Sequence, residues 1–132
     1  MDFYVIVISY VIDDTSSDVA KPELVCEFEG TKLAYVIDNA YIQLSRMLKY
    51  AGKKKIPYVT IFRTDRSTRL ATQAYLKDKW YSASHHSGAR ITDRIALLDI
   101  ARADLQLDAV TYQTIYHGFV YNNNNNGGNK KK

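Results

Sequence analysis

Cysteine is nearly absent. Cys26 stands alone among 132 residues, so no internal disulfide framework exists, and such usage fits a reducing compartment. It falls in the strand-like run Leu24-Val25-Cys26-Glu27-Phe28, which favours a buried, inert thiol over a nucleophile. No apolar run is long enough to span a bilayer. The opening MDFYVIVISYVIDD is too short, and it lacks the positive start and small-residue cleavage site of a secretory leader. The expectation is an intracellular protein, cytoplasmic or nuclear, with no membrane partner. There is no internal repeat, no H-E-x-x-H spacing and no cysteine cluster, so neither a metal nor another cofactor is expected. No helix-turn-helix, RRM, KH or zinc-finger signature is present either.

What is present suits an ordinary globular domain: 46% apolar residues and 24% charged. Tyrosine supplies 11 of the 16 aromatic residues. Its apolar ring and polar tip suit half-wet surfaces and interfaces, although strand propensity also accounts for it. Outside its terminal run, asparagine occurs only at Asn39. The terminal NNNNNGGNKKK, residues 122–132, is a low-complexity tail too polar to bury anything and is expected to be disordered. The domain is then 1–121.

The net charge of +4 hides a segregation. Residues 1–38 hold eight acids and two bases, a net of −6. Residues 39–77 hold nine bases and one acid, a net of +8, and residues 78–132 add +2. Such a layout makes a basic patch for polyanions, or joins opposite faces of identical subunits in a homo-oligomer, or cancels within one molecule.

Periodicity gives strand one at 3–12, nearly continuous in apolar residues and therefore central, and strand two at about 24–29. Gly30-Thr31 opens a helix over about 32–51 with the core stripe Leu33, Ile37, Ala40, Leu44, Met47/Leu48 and Ala51, stopped by Gly52. Strand three is about 57–63, with Pro57 in the first position. Helices follow at about 67–80, capped by Asp65 or Ser67, and at about 90–106. A fourth strand is expected at about 109–120. The order β-β-α-β-α-α-β predicts an α+β two-layer sandwich on a four-stranded sheet, mostly antiparallel or mixed.

Four groups of residues carry candidate chemistry. On a helical wheel, Tyr35, Asn39, Ile42, Arg46, Lys49, Tyr50 and Lys53 lie opposite the core stripe of the long helix. Basic side chains there neutralise phosphates and tyrosines stack bases or anchor a protein partner. Alternatively a loop covers the apolar members, and Lys53, Lys54 and Lys55 merely complement the helix dipole. The run RTDRSTR places Arg63, Arg66 and Arg69 three apart, an anion receptor if it joins a strand end to a helix start and otherwise a solvated turn.

The third group is WYSASHHSGAR, residues 80–90. Adjacent His85 and His86 face one site only in a loop, never on a regular strand. With Arg90 they are candidates for acid–base catalysis or an anion contact, and His117 would complete a three-imidazole site. The plainer alternative is a connection in which Ser87 or Thr92 caps the third helix and Gly88 supplies a turn conformation. Last, Asp13, Asp14 and Asp18 follow strand one, with Asp38 and Asp65 able to join them around a metal; turn chemistry is the plainer reading. Arg94 and Arg102 share a side with Ile91, Ile95, Leu98 and Leu105, which calls for an acid partner, an interface or a snorkelling side chain.

The leading expectation is a small basic domain that binds nucleic acid or another polyanion through phosphate contacts. Tyr35, Arg46, Lys49, Tyr50, Lys53, Lys54, Lys55, Arg63, Arg66 and Arg69 would carry it. Two alternatives stand beside it. One is a phosphodiester- or phosphate-processing enzyme using His85 or His86. The other is a self-assembling or adaptor protein with complementary acidic and basic faces.

Overall fold

The computed structural model describes residues 2–11, 22–50, 56–65, 67 and 71–122. Within them, Phe3–Val11 forms β1, Pro22–Gly30 β2, Leu33–Tyr50 α1, Ile56–Thr64 β3, Gln73–Ser82 α2, His85–Ser87 β4, Arg94–Leu105 α3 and Ala109–His117 α4. A single 3-10 turn, Gly88–Arg90, leads out of β4, and a π turn, Gly118–Asn122, extends α4. The class is α+β on a four-stranded sheet, as the periodicity predicts, with four helices in place of the expected three.

The sheet order is β2-β1-β3-β4, and every pairing is antiparallel. β1 is central because its residues are apolar on both faces: Val5, Ile6, Val7 and Ile8 are all buried. Alternation sorts them. Ile6 and Ile8 join Val59 and Ile61 beneath α1, α3 and α4, which form the main core. Val5 and Val7 join Phe62 on the other face, where α2 lays Trp80 over them. So α2 departs from a strict two-layer sandwich by packing on the far side. The β1–β2 register slips between Ile8 and Ser9, an irregularity near the hairpin end.

α1 buries Leu33, Val36, Ile37, Ala40, Leu44 and Met47, which is the expected stripe with Val36 added. Leu48 is exposed instead. Ala51 and Gly52 lie outside the described residues. Two helix starts differ from the expected ones. α2 begins at Gln73, its first turn capped by Thr72, whose hydroxyl accepts from the Tyr75 N–H at 3.1 Å. Ser67, one of the expected caps, donates to a Glu29 carboxylate oxygen at 2.8 Å and so ties the basic run to β2. α3 begins at Arg94 rather than near 90, with Asp93 accepting from the Ala96 N–H at 2.8 Å. Ser87 caps only the 3-10 turn, through the Ala89 N–H.

The fourth strand is not where sequence pattern places it. Residues 109–120 are helical. Asp108 caps α4 by accepting from the Thr111 N–H at 2.7 Å, and Tyr112 and Phe119 turn into the main core. β-branched and tyrosine residues make this segment read as a strand, but burial at helical spacing against α3 prevails over propensity. The true fourth strand is three residues long, His85–Ser87, paired with Tyr58–Thr60 of β3.

Gly88 is also used differently. Its backbone is not left-handed; the residue is needed for close approach. A Cβ there would meet Leu44 Cδ1 at 2.8 Å and the Pro57 carbonyl oxygen at 2.9 Å.

Candidate functional site

Because His85 and His86 sit on a regular strand, they point to opposite faces of the sheet. His85 stands opposite Thr60, shares a hydrogen bond between its Nδ1 and the Thr60 hydroxyl, and packs T-shaped with the Trp80 ring, the centroids 6.1 Å apart. Burial holds its pKa below the ordinary histidine value, and the neighbouring His86 adds to the effect. His86 stands opposite Val59 on the main-core face, where its Nε2 lies 2.7 Å from a carboxylate oxygen of Asp104 on α3. Arg90 is exposed at the end of the 3-10 turn. His117 is exposed on α4, its ring stacked on Tyr121 at 5.5 Å and edge-on to Tyr116.

The three imidazoles therefore each keep separate company, and the structure brings no two of them to one reacting centre. Among the described residues no three His, Cys, Asp or Glu side chains gather where a metal ion would sit. Asp38 is taken by Arg94 at 2.8 Å. Asp13, Asp14 and Asp18 lie outside the described residues.

The outward side of α1 does assemble. Tyr35 is 65% exposed, Ile42 43% and Tyr50 75%, and Asn39, Arg46 and Lys49 stand in solvent between them. Lys32 lies over the Tyr35 ring at 5.7 Å and Lys49 over the Tyr50 ring at 5.4 Å. No acid among the described residues pairs with Arg46 or Lys49. With a rise of about 1.5 Å per residue, the stripe from Tyr35 to Tyr50 runs roughly 22 Å along the helix. Lys53, Lys54 and Lys55 lie outside the described residues.

Arg63 is built into the fold. Its Nη2 donates to the Leu105 carbonyl at 3.2 Å, its guanidinium lies over the Tyr4 ring at 5.6 Å, and Asp2 stands 3.7 Å from its Nε. Arg66 and Arg69 lie outside the described residues. The arginines on the apolar side of α3 resolve into specific partners. Arg94 bridges to α1 through Asp38 and covers the Phe119 ring at 5.1 Å. Arg102 lies over the Tyr112 ring at 4.5 Å, while the Tyr112 hydroxyl donates to Asp99 at 2.6 Å, which raises the tyrosine pKa.

Asp104 and Lys79 carry no sequence signal of a site, whereas Ser82 and Ser84 fall within the candidate run WYSASHHSGAR. All four line one cleft of about 520 Å³ beside the outer edge of β3. Asp104 is 18 positions from His86, and only the pairing of β4 with β3 beneath α3 reveals the contact. The solvent-facing tyrosines of α1, by contrast, were visible from a helical wheel alone. Among the described residues, no helix is long and apolar enough to cross a membrane. Set against known proteins, the chain matches no family model, no curated protein and no solved structure.

Proposed function

We propose that the chain is a polyanion-binding domain, with nucleic acid as the leading ligand class, and that the outward face of α1 is its contact surface. The observation that carries this reading is the exposure of Tyr35, Arg46, Lys49 and Tyr50 along one helix face, two of the rings with an ammonium beside them. Cations on that face would neutralise phosphates, and the tyrosine rings would stack on bases of a single strand. Residues 39–77, with their net charge of +8, supply the wider field.

The test is fluorescence anisotropy with labelled single-stranded RNA, single-stranded DNA and duplex DNA across a salt series. Affinity should fall steeply with salt. Replacing Arg46 and Lys49 together by Gln should lower the slope of log K against log salt by about 1.4 on single strands and about 1.8 on duplex. Tyr35→Ala should weaken single-strand binding roughly 5- to 150-fold if one base stacks there. No salt-dependent binding to any of the three probes sinks the reading.

A further inference from the structure

β3 is nine residues long and β4 only three, so their pairing stops at Thr60 and His85. Continued in register, Ile61 would face Ser84, Phe62 would face Ala83 and Arg63 would face Ser82. Instead the two chains part like the prongs of a fork, because Ala83 and Ser84 turn away into the end of α2. All six of these residues line the cleft of about 520 Å³ that opens between the prongs. Its volume lies within the roughly 300–1,000 Å³ of organic ligand sites.

Two kinds of group face this space. Arg63 and Lys79 line it as cations. The one acid in the lining, Asp104, is 17% exposed and already bound to His86. The Arg63 side chain is 39% exposed, and Asp2, 3.7 Å from its Nε, is near enough for ionic attraction only. These features favour anionic oxygens. The C-terminal ends of α2 and α3 also border the cleft; their Trp80, Arg102 and Leu105 carbonyls already accept from Ala83, Leu107 and Arg63, and the remaining helix-end carbonyls repel a bare anion and welcome N–H donors. Ser82 and Ser84 add hydroxyls.

We infer that the fork between β3 and the α2–β4 connection is a binding site for a small organic ligand that carries an anionic group and N–H donors together. Arg63 and Lys79 take the phosphate or carboxylate, and the helix-end carbonyls and open strand backbone take the N–H groups. The site is separate from the α1 face and does not depend on its role.

Amide NMR titration of the full chain tests this with two probes, adenosine monophosphate for a phosphate source and N-acetylglutamate for a carboxylate source. Inorganic phosphate and adenosine serve as half-ligands for the first probe, and acetate and N-methylacetamide for the second. At least one full probe should shift the amides of Ile61–Arg63 and Ser82–Ser84, and bind tighter than either half-ligand. Lys79→Gln, a change on the partly exposed side of α2, should weaken that probe roughly tenfold or more. The Arg46→Gln, Lys49→Gln pair should leave it unchanged while weakening nucleic acid. Neither probe shifting the fork amides at millimolar concentration overturns the inference. So does binding that Lys79→Gln leaves intact.

Discussion

The imidazole of His85 is held between Thr60 and the Trp80 ring at the sheet edge, where burial favours its neutral form. The unfolded chain has no such constraint and titrates near the ordinary value of 6.5. Below that pH the unfolded state takes up a proton that the folded state resists. The stability contributed by neutral His85 is therefore complete above about pH 7 and is lost as the pH falls through the unfolded value. Urea unfolding midpoints should drop between pH 7.5 and pH 5.5, and His85→Gln should flatten that drop. An identical slope in the variant would place the titration elsewhere. This behaviour was not readable from HHS as text. It follows from which face of the strand each histidine takes, and that depends on β4 being a strand at all.

Elements differ in how far sequence discloses them. β1, α1 and β3 announce themselves through their buried residues, and β2 through the alternation that sets half-buried Cys26 and Phe28 against the core. So does the solvent-facing stripe of α1. β4 has three residues and no period, and it exists because β3 offers an edge and Gly88 lets the following turn press against Leu44 and Pro57. α4 shows the reverse error: its Val, Thr and Tyr favour a strand, while Asp108 and the inward Tyr112 and Phe119 make it a helix. The candidate fork was invisible for the same reason as β4, since its two prongs come from segments about 20 positions apart and meet only through pairing. Caps matter most for α3, which carries Leu97, Leu98, Ala101 and Leu105 into the core and reaches α1 through Arg94. Asp93→Ala should cost about 1 kcal/mol of stability in chemical denaturation, by leaving an N–H of the first turn without its acceptor.

For the whole molecule, the charge segregation along the chain is partly undone by folding. Asp2 from the acidic third stands beside Arg63 of the basic segment, an ion pair formed within one molecule. Complementary faces on separate copies are thus partly spent inside one copy. Sedimentation velocity should give one monomeric species at roughly 50 mM and 200 mM salt alike. A heavier species confined to low salt would instead favour the self-assembling alternative.

The central position of β1 has a consequence during synthesis. Its two neighbours in the sheet come from very different distances along the chain: β2 ends at Gly30, whereas β3 is complete only at Thr64. At about 5–20 residues per second, a ribosome takes on the order of a few seconds to make the intervening stretch. Once the hairpin has left the ribosome, it waits an interval of that length for β3, with an apolar strand unpaired on one side and open to any other strand that passes. The risk of wrong company therefore falls on that interval and ends when β3 closes the open side of β1.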